Sequence, residues 1–486
     1  MLFVGFLIAM AFSAGCTTPT LPDPEPLPGN LAVPVPESFR LSCGLPVWLL
    51  TSRQVPLVSL TLATRTGSSS DPDGKEGLTS LMATMLDEGA GNRGPLEIAE
   101  ELEFLGASLD VSTGKEVLRV SLDMLKRNLA PALDILSDVI LRPRFEPQEW
   151  DRVKALALND LAQRRENPSQ VARIVSERVF YGESHPFGHP TDGYEESVKT
   201  IRLEDVKKAY SDSVRPENAV LVVVGDLSRK ELEEGLEERF GGWRGGDASR
   251  RSPPAPPVPE RSARLIIVDK PGVSQTAIRI LLPCPPRSSP QIAPLTLANT
   301  VLGGTFTSRL VSNLREKNGY TYGARSALAL RSWPSHLVAG SSVYTEKTVP
   351  ALVELCREFR AMETGNITED EFRKVRSTHW RRAVEALESQ RSMLGLYVLS
   401  AALEFPPDER KQFHQWVQKA SLEEVSEAAR KIFHWHRATI VLVGDWKSIE
   451  EQLAEFRAHP RKDLAGMPCT LPEVELRGRD GQRLEE

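Results

Sequence analysis

The side chains best placed to do chemistry lie in Gly303–Tyr322, which reads GGTFTSRLVSNLREKNGYTY. Gly303 and Gly304 allow a tight turn, and Thr305 or Thr307 can cap the first amides of a following helix. Leu310, Val311 and Leu314 give that helix one apolar face. Asn318-Gly319 is a left-handed stop signal. Tyr320-Thr321-Tyr322 then starts an extended segment in which residues 320 and 322 share a side. Arg315 sits in the last helical turn, and the stop folds the chain back, so a guanidinium and the Tyr322 phenol could converge and hold a peptide carbonyl. The plainer alternative is a surface arginine favoured by the helix C-terminal dipole, with two half-buried tyrosines.

Two other sets of residues invite a chemical reading. His185-Pro-Phe-Gly-His189 spaces two imidazoles by four, but Pro186 and Gly188 make a loop and deny them the face of a helix. His434-Trp-His436 puts two imidazoles at alternate positions before the last strand, with no third ligand near in sequence. Gly67-Ser-Ser-Ser70 lacks the strand-to-helix elbow of a serine nucleophile. None of these is expected to form an independent hydrolase or metal site.

The elements that must position these residues repeat. PENAVLVVVGD at 216–226 is answered by RATIVLVGD at 437–445, and FEPQEWDRV at 145–153 by ITEDEFRKV at 367–375. Gly77–Met85 is echoed faintly by Ala293–Val301. Matched strings in one order and at nearly one offset argue a duplicated domain. Strands are expected at Val47–Leu50, Leu57–Thr64, Ser108–Val111, Val117–Leu122 and Ala219–Val224. Helices are expected at Gly77–Glu88, Pro95–Leu105, Leu129–Ile140 and Pro147–Arg164. The fold class is therefore α+β, with two homologous α/β sandwich domains. They span residues 38–245 and 263–460, joined by a proline-dense hinge at 246–262 and followed by a polar tail at 461–486.

A net charge of −6 without a basic stripe speaks against a nucleic-acid surface. The five cysteines are scattered without a Cys-x-x-Cys, so they indicate neither a zinc ribbon nor a disulfide framework. Residues 1–15 form an apolar run too short to span a bilayer comfortably and suited to a signal peptide. The run ends in Ser-Ala-Gly-Cys, which resembles a bacterial lipoprotein box with Cys16 as the lipidated residue. The proline-rich stretch 16–37 would then be a tether to the membrane. This resemblance implies a cell-envelope location, with outer-membrane sorting toward the periplasm because Thr17 follows the cysteine.

Three strings resemble the insulinase/pitrilysin family of zinc metallopeptidases, which includes the mitochondrial processing peptidases. They are SRLVSNLREKNGYTYGA, the loop His185–Pro190, and the frame Asp71-Pro-Asp-Gly-Lys-Glu-Gly-Leu with Met85-Leu86 and Glu88-Gly89. The resemblance gives Arg315 and Tyr322 the contact with the substrate carbonyl, with Gly303, Gly304 and Tyr320 on the substrate-binding side. It also exposes a loss. The family's His-x-x-Glu-His binds zinc through its two His and activates water through its Glu. Laid on the frame, those ligand positions hold Ser80 and Thr84, and the water-activating position holds Ala83. The family's third ligand falls near Asn159 or Asp160. This chain is thus expected to hold no metal, and zinc is expected in a partner. Some bacterial members of the family pair a zinc-bearing subunit with one that carries only the Arg/Tyr pair. The present chain resembles the second kind: one half of a clam that closes over a peptide. The rival expectations are a non-catalytic assembly scaffold of the cell envelope and a zinc peptidase active alone.

Overall fold

The computed structural model describes residues 31–245, 262–332, 334–458 and 471–484. The expected signal segment, Cys16 and the hinge up to residue 261 lie outside them. The first half forms strands β1 (Glu37–Arg40), β2 (Pro46–Thr51), β3 (Leu57–Thr64), β4 (Ser108–Thr113), β5 (Leu118–Leu125) and β6 (Ala219–Gly225). The second forms β7 (Arg264–Asp269), β8 (Gln275–Cys284), β9 (Ala324–Ala329), β10 (Ser335–Tyr344), β11 (Thr439–Gly444) and β12 (Val474–Leu476).

The two sheets run β1-β2-β6-β3-β5-β4 and β12-β7-β11-β8-β10-β9. From the second position onward they superpose strand for strand. β6 is parallel to β2 and antiparallel to β3, as β11 is parallel to β7 and antiparallel to β8. The echoed helices also match, Pro147–Glu166 against Glu369–Glu388, each of 20 residues. The duplicated α+β reading therefore holds. β6 and β11 are buried along their whole length, as a strand covered on both faces must be, which is why their sequences are unbroken apolar runs.

What covers the second face of each sheet was not legible beforehand. Leu221 and Val223 face helices of their own half. Val220, Val222 and Val224 instead pack with Trp48 and Leu50 against Met393, Leu394, Tyr397, Val398 and Ala401. Those five belong to the helix Gln390–Ala402 of the other half. The arrangement is reciprocal. Val171, Ala172, Val175 and Val179, on the first-half helix Pro168–Tyr181, pack on Ile266, Val268, Val441 and Val443 of the second sheet. Each half lends the other one helix.

Three local expectations differ from the structure. The helix at 77–88 is only Leu78–Thr84; an i→i+3 bond from the Leu86 amide to the Ala83 carbonyl tightens its end, although Met85 and Leu86 stay fully buried. Within the polar tail, Val474–Leu476 adds strand β12 to β7. Arg477 is buried there because the carboxylates of Glu475 (2.6 Å) and Glu183 (2.9 Å) pair with it. Cys356 is disulfide-bonded, whereas Cys43 and Cys284 are free; a single spatial pairing leaves no spacing signature. No helix of the described residues is long and apolar enough to cross a membrane.

Candidate functional site

The segment Gly303–Tyr322 is built differently from its expected loop, helix and strand. Gly303 ends the helix Ile292–Gly303, and neither it nor Gly304 takes a left-handed conformation. Glycine is required at 303 by close approach: a Cβ there would lie 2.4 Å from the Ser326 amide nitrogen of β9. The next helix starts after Ser308, not Thr305 or Thr307, and no side chain caps it. After Arg309–Val311 the helix widens into a π-turn over Ser312–Lys317. The Asn318 amide donates to the Asn313 carbonyl at 3.1 Å, five residues back. The buried Asn313 side chain anchors this turn by donating to Glu354 (3.0 Å) and Glu358 (2.6 Å). Asn318 donates to the Asn313 side chain in return, at 2.7 Å. Such turns are costly in isolation and recur at functional positions. Gly319 is left-handed (φ +64°), as Asn-Gly predicts.

Arg315 rides on the π-turn. Its guanidinium lies 4.5 Å from the centroid of the Phe306 ring, and its Nε is 3.3 Å from Glu316 Oε1. Phe306 is 67 % exposed, and the Arg315 guanidinium covers one part of its ring. Tyr322 is 79 % exposed, and its phenol lies beside that of Tyr344, whose pKa it holds above the ordinary tyrosine value. Tyr320 and Tyr322 do not share a side. Tyr320 packs against the second-half core while Tyr322 faces solvent. Regular pairing starts only at β9; before it, the Thr321 hydroxyl donates to the Ser342 carbonyl at 2.7 Å and the Tyr344 amide to the Tyr320 carbonyl at 3.1 Å. These bonds peg the segment to β10 and break the alternation. Arg315 and Tyr322 are thus both presented on the second half, each with its own aromatic neighbour. Phe306 and Tyr344 were not singled out from the sequence; Phe306 lies in the same loop, but Tyr344 carried no signal.

The helix Leu78–Thr84, on which the resemblance places the ligand positions, holds Ser80, Ala83 and Thr84 there. Thr84 is exposed and its hydroxyl turns back to the Ser80 carbonyl at 3.2 Å. Ala83 is buried in the first-half core. Asn159 and Asp160 are both exposed on their helix. The frame around the helix is intact nonetheless. Asp71 accepts from the amides of Gly77 and Thr79, both at 2.9 Å, and burial pushes its pKa up to about 7. Gly77 sits at φ +99°, and a Cβ would lie 2.6 Å from the Asp192 carbonyl oxygen, so glycine alone fits.

The histidine loop is structural. Phe187 is fully buried, and its amide donates to His185 Nδ1 at 3.0 Å. Burial lowers the His185 pKa to about 4. Ser68 and Ser69 are buried in a short turn, with no nucleophile's geometry. Among the described residues, the one cluster with metal-ligand spacing lies elsewhere, at Glu363, His434 and His436.

Comparison with known proteins bears on this site. The family model described as Insulinase (Peptidase family M16) matches residues 47–184, and that described as Peptidase M16 inactive domain matches residues 200–378. An uncharacterized zinc protease of Mycobacterium leprae is 26 % identical over 257 residues, 52 % of this chain and 56 % of its own length, so the match spans little more than half of that relative. The Helicobacter pylori protein described as non-peptidase homolog YmxG is 24 % identical over 411 residues, 83 % of this chain and 92 % of that one. The crystal structure of a peptidase M16 inactive domain from Pseudomonas fluorescens aligns with a TM-score of 0.79 at 25 % identity, covering 84 % of this chain and 98 % of that one.

Proposed function

The chain belongs to the insulinase (M16) family, and from that premise we propose that it is the subunit of a two-chain metallopeptidase that lacks the catalytic zinc. Alone it is an inactive M16-like protein. The observation that carries the reading is a contrast between its halves. The first keeps the frame of the metal helix but has Ser80, Ala83 and Thr84 where ligands and base belong. The second presents Arg315 and Tyr322 to solvent on a scaffold of buried side chains and hydrogen bonds. With a zinc-bearing M16 subunit docked opposite, those two donors would bind the scissile carbonyl and stabilise the oxyanion that forms on the partner's metal. The zinc supplies Lewis-acid polarisation and the activated water; this chain supplies orientation and hydrogen bonds. The substrate would be an extended peptide. Mixing the chain with a zinc-bearing partner that is nearly inactive alone is the test. Peptidase activity should appear on mixing and saturate at one copy of each, and a mixture with no more activity than the partner alone would refute the reading.

A second reading is an assembly scaffold of the cell envelope. The relative described as a non-peptidase homolog favours it, whereas the half-buried Arg315 and the exposed Tyr322 have no evident use in a scaffold. Under either reading we place the chain at the membrane through Cys16, as an outer-membrane lipoprotein facing the periplasm. The disulfide at Cys356 supports an oxidising compartment. Mass spectrometry of membrane-extracted protein should find residues 1–15 removed and Cys16 lipidated. An unmodified mature terminus at any other residue would remove the anchor.

A further inference from the structure

Glu363 ends the helix Thr348–Glu363, at the pole where the helix dipole is negative. A carboxylate there is unfavourable unless cations surround it. Arg360 supplies one, its Nη1 being 3.0 Å from Glu363 Oε2. On the other oxygen, Oε1, two imidazoles converge: His434 Nδ1 at 3.0 Å and His436 Nδ1 at 3.8 Å. The two rings lie 5.2 Å apart. The histidines flank Trp435, which is 2 % exposed and packs on Phe359 at 5.7 Å. Because the tryptophan is pegged in the core, the short 3₁₀ turn Trp435–Arg437 sets both imidazoles on the same side of the chain. The alternate spacing is that of the sequence, but a turn rather than a strand produces the shared face. The missing third ligand arrives from 71 residues upstream.

We propose that Glu363, His434 and His436 bind a divalent transition metal such as zinc, at a site distinct from the vanished zinc motif of the first half. Donor set and spacing both fit. Two imidazoles and a carboxylate suit Zn²⁺, Ni²⁺ or Cu²⁺, and not Mg²⁺, which prefers oxygen ligands. Ligand atoms bonded to a tetrahedral zinc stand about 3.3 Å apart. The two separations from Glu363 Oε1, 3.0 and 3.8 Å, bracket that value. The three ligand atoms all lie within 4.8 Å of one another. Arg360 holds the second carboxylate oxygen and so orients the ligand, the part played by outer-shell partners at metal centres. The remaining coordination positions stay open to water or to an incoming donor. By joining the end of one helix to the turn before β11, the ion would staple two elements of the second half.

The test uses the full chain, purified without an oligohistidine tag, stripped with chelator and titrated with ZnCl₂ by calorimetry. One zinc per chain is expected, with MgCl₂ giving no heat and zinc raising the unfolding temperature. His436→Ala changes a mostly exposed side chain, so the fold survives it. That variant and Glu363→Gln should each weaken binding at least about tenfold. Ser80→Ala/Thr84→Ala should bind as the parent does, which separates this site from the decayed motif. If the parent takes up no zinc, or His436→Ala takes it up equally well, the assignment fails. Because binding needs no partner, its failure would leave the two-chain peptidase reading untouched.

Discussion

Tyr322→Phe is expected to lower the kcat of the reconstituted two-chain peptidase by at least about tenfold, toward the 100- to 1,000-fold range of a lost oxyanion donor. The substitution keeps the ring and removes one hydroxyl. Tyr322 is mostly exposed and its neighbour Tyr344 is exposed too, so neither stability nor subunit assembly should change. KM should move little, because the donor acts on the transition state more than on the bound peptide. Arg315→Lys should also be poorly tolerated. An ammonium cannot reproduce the planar fork, and it stacks less well on Phe306, which holds the guanidinium at 4.5 Å. Tyr320→Phe is the control and should matter less, because the carbonyl contact is assigned to Tyr322 and the Tyr320 ring packs against the core. Full activity of both Tyr322→Phe and Arg315→Lys complexes would move the chain to the scaffold reading.

The largest loss of stability is expected from Lys115→Met. Lys115 and Glu177 are 5 % and 7 % exposed, with Nζ 3.5 Å from the carboxylate. Nζ also donates to the His189 carbonyl. Burial pushes the Lys115 pKa down to about 8. Burial pushes Glu177 the other way, but Lys115, His336 and Arg331 outweigh it, and its carboxyl lies below the usual range. The pair is therefore ionised at neutral pH. Removing the ammonium takes away the largest charge compensating a buried carboxylate and leaves Arg331 and Arg173 to hold it; breaking a buried pair in this way typically costs about 3–5 kcal/mol. Lys115→Met/Glu177→Leu should recover most of that, since an apolar pair of similar volume is often neutral or better. Chemical unfolding of the three proteins measures it. A single variant as stable as the parent would show that Glu177 takes up a proton or finds water at little cost.

Much of this was legible because the relevant signals are local. Ala219–Gly225 and Thr439–Gly444 could only be buried strands, and their flanking strings announced the duplication. The absence at residues 80, 83 and 84 is likewise a fact of the sequence. What could not be read depends on tertiary partners. Met393, Leu394, Tyr397 and Val398 form an apolar stripe that any core helix might carry; nothing local says that it packs on the opposite half. The π-turn under Arg315 is imposed by Glu354 and Glu358, some forty residues downstream. Glu363 reaches His434 across 71 residues. The strand at Val474–Leu476 is too short, and its neighbours too polar, to stand out before β7 offers it an edge.

The exchange of helices has a consequence for how the chain is made. The last strand of the first sheet ends at Gly225, but the helix that covers its open face ends only at Ala402. All of the intervening 177 residues (402 − 225) must follow the first half before that face can be covered. Throughout that interval Trp48, Leu50, Val220, Val222 and Val224 form a wet apolar wall. For the same reason a stop codon in the proline-rich joint should yield an aggregate rather than a smaller folded protein.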